Sequence, residues 1–490
     1  MVKRLVVLLV LLGACPAAAH GASWKSGGTI FADTPIFGAL ETAVDRSGNT
    51  LFAYPGGFNG GGVFARARPS GGPVAPRQTL SGADAQQPHL AANAKGEALV
   101  AWSEASPGTG SSLPDRELAA LRLPGGAFAG PQVLAEGVTV CDDAAAMSNS
   151  GYAVVAFTAA AADGRCLPYA SLLKPGSDHF DPPVQLSTNR AATPQVALDN
   201  RGNALVAWVD KDSDAVLISR YLPHGLGFQT SQRLFVDGQE PAAPDFGPLL
   251  LRVSPPTGAA IIAFPSLDGF RKRPAVSIGG TVTSFDPPRL LAGPSSFNSA
   301  YDRRVDAAAG ADGTLAVVWR GGDRQMRRVK IARVGPGAES ITRDDVNAIS
   351  DLHAAEVALA IADDGRVTVA WSRLSAHGKR DVVEAATCAP SEHCGRPQLL
   401  SSNGLPGGVR PEAATSSSGV QFVSWLTPTG VDWAMGSAHT GRFGKAHRLT
   451  SATDVAQQRL LRGRHSAMLA TVVERATNGM TAKLFTYAER

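Results

Sequence analysis

The chain has 490 residues, of which 44% are hydrophobic and 18% are charged, and its formal net charge is +4. This balance excludes an intrinsically disordered chain, which needs more charge and fewer apolar residues. The net charge is also too small to predict nucleic-acid binding. The 53 glycines and 33 prolines favour many short strands and turns over a helical fold.

Residues 1–22 have the layout of a secretory signal, in which two basic residues precede a short apolar core and small residues follow it. The core is too short to span a bilayer, and no later segment is apolar enough for a transmembrane span. The sequence AAA at 17–19 predicts cleavage to a soluble product. The sequence LGAC at 12–15 resembles a bacterial lipobox, in which Cys15 would carry a lipid anchor. Both alternatives predict an exported chain, secreted or held at the membrane surface, with its folded domain at 23–490.

One hairpin pattern recurs along the mature chain. The stretch DNRGNALVAW, which ends at Trp208, has a Gly six residues before an aromatic residue, and seven other segments share this spacing. The glycines are Gly48, Gly96, Gly151, Gly202, Gly258, Gly313, Gly365 and Gly419. The aromatic residues, which we expect to pack the repeats, are Tyr54, Trp102, Phe157, Trp208, Phe264, Trp319, Trp371 and Trp425. Successive glycines are 48 to 56 residues apart, and a period near fifty predicts a propeller or a solenoid array.

The composition of each repeat favours the propeller. The Gly lies in a turn rich in Asp, Asn and Ser, where a positive φ closes a hairpin. The strand after the turn, such as ALVAW, is apolar at consecutive positions, which is typical of a strand buried on both faces. The strand before it contains small residues, as in HLAAN and VDAAAG, and suits a crowded central axis. Two further strands follow each aromatic residue, so each repeat is predicted to form a four-stranded antiparallel blade with strands A to D.

The two ends of the chain predict how the ring closes. The segment SWKSGGTIFADT, from Ser23, resembles the outer strand of a repeat, and near the C-terminus Gly479 again precedes an aromatic residue, Phe485, by six positions. We therefore predict that residues 24–34 pair with strands after about residue 457. The predicted fold is all-β, a single β-propeller of eight or nine four-stranded blades, closed by its N- and C-terminal strands. A row of independent sandwich modules is the alternative.

The pattern D-x-x-G-N-h-h-V-h, in which h is apolar, resembles the NHL-type and related bacterial secreted propeller repeats. The stretch LDNRGNALVAWVD, residues 198–210, is the best copy, and resemblance of this grade extends over nearly all of the mature chain. The chain departs from the pattern because Trp or Phe stands where many NHL repeats carry Asp. The resemblance implies a propeller fold and no particular activity, since propellers include both enzymes and inert scaffolds.

Four cysteines follow Cys15. In an oxidising compartment an even number predicts disulfides, and pairing of nearest neighbours gives Cys141–Cys166 and Cys388–Cys394. A metal site is the alternative, but neither pair has metal-ligand spacing and no histidine cluster accompanies them.

No catalytic motif is evident in the sequence. It lacks a G-x-S-x-G nucleophile elbow, an H-E-x-x-H zinc motif, a Walker loop and a G-x-G-x-x-G loop, and its ten histidines are scattered singly. Asp210, Asp212 and Asp214 alternate as calcium ligands do, but Ala215 and Tyr221 stand where such a loop needs Gly and Glu. We therefore predict no metal and no cofactor, assign no catalytic residue, and expect the protein not to be an enzyme.

Three successive repeats carry basic segments after the aromatic residue, between strands B and C. Since B–C loops of a meander share one rim, the segments PSLDGFRKRP, RGGDRQMRRVK and SRLSAHGKRD are expected to form one positive sector. The predicted binding residues are Arg271, Lys272, Arg273, Arg320, Arg324, Arg327, Arg328, Arg373, Lys379 and Arg380. Such a sector suits an anionic glycan, a wall polymer or a protein ligand, although exposed loops are often simply charged. The predicted function is therefore a binding module, with a carbohydrate-active hydrolase or lyase as the alternative.

Overall fold

The structure is a computed structural model. It describes residues 24–34, 39–56, 61–82, 85–86, 88–106, 113–213, 215–225, 227–235, 240–241, 249–268, 271–291, 305–322, 327–337, 341–346, 354–374, 381–390, 392–401, 409–452, 454–463, 467–476 and 479–487. Within these ranges all regular elements are β-strands. None of the described residues belongs to a helix long and apolar enough to cross a membrane.

The strands are numbered in chain order. The first are β1 (Lys25–Thr34), β2 (Glu41–Val44), β3 (Thr50–Pro55), β4 (Val63–Arg68), β5 (Gln78–Thr79), β6 (His89–Ala92), β7 (Ala98–Glu104), β8 (Arg116–Arg122), β9 (Gln132–Glu136), β10 (Val140–Met147), β11 (Ala153–Ala160), β12 (Cys166–Leu173) and β13 (Val184–Gln185). The next are β14 (Ala191–Leu198), β15 (Ala204–Asp210), β16 (Ala215–Leu222), β17 (Gly227–Phe228), β18 (Gln232–Leu234), β19 (Glu240–Pro241), β20 (Leu250–Val253), β21 (Ala259–Asp268), β22 (Arg271–Gly280), β23 (Arg289–Leu290), β24 (Val305–Ala309), β25 (Leu315–Gly322), β26 (Arg327–Val334) and β27 (Thr342–Asp345). The last are β28 (Ala354–Ile361), β29 (Val367–Leu374), β30 (Asp381–Cys388), β31 (Gln398–Leu399), β32 (Glu412–Thr415), β33 (Gln421–Thr427), β34 (Gly430–Gly436), β35 (His447–Thr450), β36 (Val455–Arg462), β37 (Met468–Ala476) and β38 (Gly479–Tyr487).

These strands form nine antiparallel sheets, which are the blades of a nine-bladed propeller. Blades 1 to 3 are β2–β5, β6–β9 and β10–β13, and blades 6 to 8 are β24–β27, β28–β31 and β32–β35. In blade 4 both β17 and β18 pair with β16, and in blade 5 both β19 and β20 pair with β21, so one strand of each blade is in two pieces. The strand A of each blade contacts the strand A of its neighbours around the ring, and these strands line the central channel.

Blade 9 closes the ring in the order β1-β38-β37-β36, which confirms the predicted pairing of the two ends. Lys25 pairs with Thr486 at one end of the joint, and Thr34 pairs with Met480 at the other. Phe31 of β1 is 4% exposed, and its ring lies 4.6 Å from that of Tyr54 in blade 1. The N-terminal strand therefore supplies part of the core between the last and first blades.

The A–B turns explain why the repeat contains Asp and Gly. In blade 1, the Asp45 carboxylate accepts hydrogen bonds from the backbone N–H groups of Ser47 at 2.8 Å and Asn49 at 2.9 Å. Gly48 has a φ of 82° in this turn, and the other seven repeat glycines also have positive φ, between 77° and 100°. Only Gly adopts this region without strain, so the spacing of the glycines follows from the turn itself.

The eight repeat aromatic residues are all buried, none being more than 3% exposed. They lie in strands B whose residues are buried on both faces, as the unbroken apolar runs predicted. The buried clusters join residues of neighbouring blades, for example Val100 and Trp102 of blade 2 with Ala53 of blade 1. The hydrophobic core of this protein is therefore a set of interfaces between blades.

A glutamine contact that the sequence reading missed also joins the blades. Gln78 in strand D of blade 1 donates to the carbonyl of Phe128 at 2.7 Å and accepts from its N–H at 2.9 Å. The same two-bond contact joins Gln132 to Phe180 and Gln232 to Phe285 across later blade boundaries. Each bond of this kind contributes on the order of 1 kcal/mol.

Both predicted disulfides are present. Cys141 and Cys166 begin strands A and C of blade 3, and their Cα atoms are 6.4 Å apart. Cys388 and Cys394 close a turn after β30. Arg333 of blade 6 holds this turn to its neighbour, because its guanidinium donates at 2.5 Å to the carbonyl of Ala389.

The ninth blade differs from the other eight in its turn. Gly479, which has the repeat spacing to Phe485, begins strand C of this blade and is not part of an A–B turn. Strands A and B of this blade are joined between β36 and β37, where the N–H of Gly463 donates to the carbonyl of Ala467 at 2.9 Å. The spacing therefore indicated a ninth blade but placed its hairpin one strand too late.

Candidate functional site

Polar residues from six of the nine blades line the central channel. They share a position, since each pairs with the fourth residue of strand B in its blade: Glu41, His89, Gln195, Asp306, Glu412 and Arg459. This position lies at about the middle of strand B, since these strands have six to nine residues. The polar residues therefore lie part-way along the channel. The rim formed by the B–C turns is called the B–C rim.

Five charged residues form a cluster in the channel, one on the strand A of each blade from 5 to 9: Arg252, Asp306, Glu356, Glu412 and Arg459. Burial lowers the pKa of Arg252, the nearby Asp306 opposes this effect, and Arg459 adds to it. Because Arg459 belongs to blade 9 and Arg252 to blade 5, their interaction requires the Arg459 side chain to extend across the channel. The cluster is thus a feature of the channel and not of one blade interface.

Two members of this cluster are held by the main chain. The Asp306 carboxylate accepts from the N–H of Ala307 at 2.8 Å and from that of Leu359 in the next blade at 3.0 Å. Arg252 donates from Nε to the carbonyl of Ala307 at 3.0 Å. These contacts use hydrogen-bonding groups that a ligand would need, so Asp306 and Arg252 are fixed parts of the wall.

Glu412 is placed differently. Burial raises its pKa to about 7, the positive charge of Arg459 opposes this rise, and the carboxylates of Asp306 and Glu356 add to it. The residue is partly buried. Glu412 therefore takes up or releases a proton near neutral pH on a strand that lines the channel.

A second group of carboxyls lies between blades 2 and 3. Glu117 of β8 is fully buried, and within the described part of the chain neither of its carboxyl oxygens has a hydrogen-bond partner. Burial, together with the neighbouring Asp143 carboxylate, raises the pKa of Glu117 well above its ordinary value. Burial also raises the pKa of Asp143 to about 6, against the opposing effect of His89, while Asp142 adds to the rise.

His89, on strand A of blade 2, lies between Asp143 and the channel surface. Its Nε2 lies 3.7 Å from an oxygen of Asp143, and its side chain is 36% exposed whereas that of Asp143 is 8% exposed. Glu117 is therefore too deep to meet a ligand, and the pair belongs to the blade interface.

The structure places the described members of the predicted basic sector at the ends of strands B and C, not in loops. Strands β21 and β22 continue pairing to Asp268 and Arg271, and β25 and β26 continue to Gly322 and Arg327. The B–C connections are shorter than predicted because the strands extend well past the buried aromatic residues. These strand ends nevertheless lie on the B–C rim of blades 5, 6 and 7.

Three of the basic side chains can be described. Arg328 pairs with Asp345 at 2.9 Å, and Lys330 reaches the same carboxylate at 3.1 Å. Arg373 pairs with Glu384 at 2.5 Å, and the stem of Arg320 is partly buried. The predicted residues Arg324, Lys379 and Arg380 lie outside the described residues, as do the side chains of Arg271, Lys272, Arg273 and Arg327.

The aspartates that alternate like calcium ligands form an ordinary turn. The Asp210 carboxylate accepts from the N–H of Asp212 at 2.9 Å and from that of Ser213 at 3.0 Å, and Asp214 lies outside the described residues. No group of three or more His, Cys, Asp or Glu suited to a metal ion occurs in the part of the chain that the structure describes.

No protein-family model matches the sequence, and no curated protein is similar to it. Among solved structures, the chain is similar to an ulvan lyase, a polysaccharide lyase (10% identity, TM-score 0.42, 87% of this chain and 96% of that one). It is also similar to the propeller domain of the trilobed protease from Pyrococcus furiosus (8%, 0.36, 75% and 96%). A third similar structure is the Penicillium chrysogenum α-L-arabinanase (10%, 0.31, 60% and 93%). At these identities the likeness concerns the fold alone, and the NHL-type resemblance stays a prediction.

Proposed function

We propose that the protein is an exported β-propeller that binds an anionic polymer, such as an acidic glycan, on its B–C rim. The observation that carries this proposal is the position of basic strand ends on the B–C rim of three neighbouring blades. The ring fixes these strand ends side by side, so they would act as one surface. Arginine predominates among them, and its planar fork suits carboxylate, sulfate and phosphate groups.

Basic residues outnumber acidic residues along these strand ends. In blade 6, Arg328 and Lys330 share the carboxylate of Asp345, so among the described side chains two positive charges meet one negative charge. In blade 5, the sequence has three basic residues, Arg271, Lys272 and Arg273, after one acidic residue, Asp268. A surface of this kind favours polyanions over small anions, because several weak contacts add along one polymer.

The test is a charge reversal on the B–C rim. Replacing Arg271, Arg273, Arg327 and Arg328 together by Glu should abolish retention of the protein on immobilised polygalacturonate at physiological salt. Retention of the unaltered protein should weaken as salt rises, since exposed charges are screened over about 8–10 Å under these conditions. The melting temperature should change little, because these residues lie at the ends of strands.

The matched control reverses basic residues on the opposite rim. Arg46, Lys95 and Arg201 lie in A–B turns, and their replacement by Glu should leave retention nearly unchanged. Equal loss of retention from both sets would mean that the protein binds polyanions through diffuse charge, and the proposed surface would then be rejected.

A second candidate is a carbohydrate-active hydrolase or lyase, which Glu412 favours. A carboxyl group with a pKa of about 7 is suited to general acid–base catalysis near neutral pH. The test is incubation with polygalacturonate and with neutral arabinan, followed by an assay for new reducing ends and for unsaturated sugars. Activity that disappears in Glu412→Gln would support this role, and no product from either polymer, at any pH from 5 to 9, would contradict it.

Export through residues 1–22 is part of the proposal. Expression with the native leader in a bacterial host should give either a soluble protein that begins after AAA at 17–19 or a membrane-bound protein that begins at a lipidated Cys15. The mass of the purified protein distinguishes the two products. A cytoplasmic protein that retains its leader would contradict export.

A further inference from the structure

The Arg459 guanidinium is a cation in the channel that has no described acidic partner. Its side chain is exposed, and within the described residues no carboxylate lies within ion-pair distance of it. Arg462, three residues further along the same strand, differs because it forms a two-pronged pair with Asp363. The donor groups of Arg459 are therefore available to a solute in the channel.

Strand β36 holds Arg459 in a fixed position. Gln458 donates to the carbonyl of Arg410 in blade 8 at 2.5 Å, and Gln457 accepts from the N–H of Leu40 in blade 1 at 2.9 Å. The strand is thus attached to both neighbouring blades immediately before Arg459. A side chain whose backbone is fixed in this way loses less entropy when it binds a ligand.

Glu412 stands at the same position in the adjacent blade. It pairs with Ser424, whereas Arg459 pairs with Thr471, and each partner is the fourth residue of its strand B. No described residue forms a hydrogen bond to the Glu412 carboxyl, which reaches the channel beside Arg459. The charged groups that face Glu412 from the other strands are Asp306, Glu356 and Arg459.

We infer that Arg459 and Glu412 form a subsite for a single carboxylate in the central channel, and that its ligand is an acidic sugar unit of the uronate class. The inference rests on the proposed binding of an anionic polymer and names the point where one unit of that polymer is held. Arg459 donates two hydrogen bonds to the ligand carboxylate, and the protonated Glu412 donates a third.

The surroundings of the subsite favour this ligand over a free cation or a neutral sugar. Asp306 and Arg252 are occupied by main-chain groups, so they contribute fixed charge without competing for the ligand. With Glu412 protonated, the two arginines balance the carboxylates of Asp306 and Glu356, and an entering carboxylate meets the open face of Arg459. When Glu412 loses its proton, its negative charge repels the ligand.

The test uses the full mature protein and monomeric D-glucuronate, with glucose as the neutral comparison, in an NMR titration from pH 5.5 to 8.5. Glucuronate should bind and glucose should not. The dissociation constant for glucuronate should rise up to tenfold per pH unit above about 7, because only the protonated form of Glu412 donates to the ligand.

Two variants and a control separate the roles of the residues. Arg459→Gln should weaken glucuronate binding at least tenfold at every pH, and Glu412→Gln should bind with an affinity that no longer depends on pH. Arg462→Gln, on the same strand, should bind as the unaltered protein does. Circular dichroism spectra that match for all four proteins establish that each variant folds.

The inference is overturned if Arg459→Gln keeps its affinity, or if Glu412→Gln keeps the pH dependence. The same proteins distinguish it from the proposed rim surface. If the protein is retained on immobilised polygalacturonate but does not bind glucuronate, the proposed rim surface is supported and the subsite is rejected. Binding of glucuronate together with unchanged retention of the rim charge-reversal variant would support the subsite and reject the rim surface.

Discussion

The two groups of buried acids in this propeller differ in what surrounds them. Between blades 2 and 3, Glu117 and Asp143 are neighbours in a buried interface, and among the described residues His89 is the basic group near Asp143. In the channel, Glu412 and Arg459 occupy the same position of adjacent blades. Glu117 and Asp143 can take up or release protons, and their ionisation lowers the stability of the fold. Glu412 and Arg459 are placed both to transfer a proton and to bind a ligand.

This contrast concerns what the two groups of acids can do besides titrate. An interface carboxyl has no solvent to satisfy it when it ionises, so its titration is coupled to folding. Burial raises the pKa of Glu412 as well, so its ionisation also lowers stability, but its position in the channel lets the same titration change ligand affinity. Three experiments test this division.

The largest effect is expected when an interface is removed altogether. Deletion of residues 24–34 takes away β1 and exposes the core of blade 9, including the places filled by Ile30 and Phe31. Burial of each large apolar side chain is worth about 1.5–3 kcal/mol, so the free energy of unfolding should fall by roughly 5 kcal/mol or more. Urea unfolding measures the loss.

The control for this deletion is Thr29→Ala, since Thr29 lies in the same strand but is exposed. It should change the free energy of unfolding by about 0.5 kcal/mol or less. An unchanged unfolding midpoint after the deletion would show that β1 is not needed to close the ring.

A smaller effect is expected from the acids between blades 2 and 3. Because the folded protein holds protons on Asp143 and Glu117 after the unfolded chain has released them, stability should fall as pH rises from about 4 through about 6. The rise in the pKa of Asp143 from 3.8 to about 6 corresponds to a loss on the order of 3 kcal/mol. Urea unfolding across this pH range measures it.

The double variant Glu117→Gln with Asp143→Asn should remove most of this pH dependence and should be more stable than the unaltered protein at pH 8. Asp364→Asn, at an exposed site, should leave the pH dependence unchanged. A double variant with the same pH profile as the unaltered protein would contradict the assignment of the proton to this pair.

The smallest effect on stability is expected in the channel. At pH 5.5, Glu412→Gln should change the free energy of unfolding by about 1 kcal/mol or less, because Gln and the protonated Glu412 are both uncharged. Arg459→Gln should raise the pKa of Glu412 further above 7, since it removes the charge that opposes the rise. An NMR titration of the Glu412 side chain tests the second expectation, and a lower pKa in this variant would refute the proposed pairing.

The repeat, the ring closure and the disulfides could be predicted because each depends on residues with a strict local role. Gly48 and its seven equivalents occupy turns with positive φ, so their spacing reports the blades directly. Cys388 and Cys394 are six residues apart and could meet in one turn. Strand β1 could be matched to the C-terminal strands because it is an extra strand-like segment ahead of the first repeat.

The charged cluster in the channel could not be predicted in the same way, since its residues come from blades about fifty positions apart. Asp306 and Glu412 lie at or next to the start of strands of small residues, in VDAAAG and EAATS. An acidic residue at this place in two repeats was the one available signal. Glu117 gave no signal, because the stretch DRELAALRL is compatible with an ordinary half-exposed strand. Its complete burial follows from packing against blade 3, which no local pattern encodes.

The closure of blade 9 also determines when the protein can finish folding. Its strands β1 and β38 are made at opposite ends of synthesis, so the edge of β38 meets its own β1 only after the whole chain is available. Once β38 has been made, β1 of any other molecule presents the same pairing groups to its edge. Native closure is therefore a competition between partners within one chain and partners between chains, and crowding of newly made molecules shifts it towards dimers that exchange their first strand.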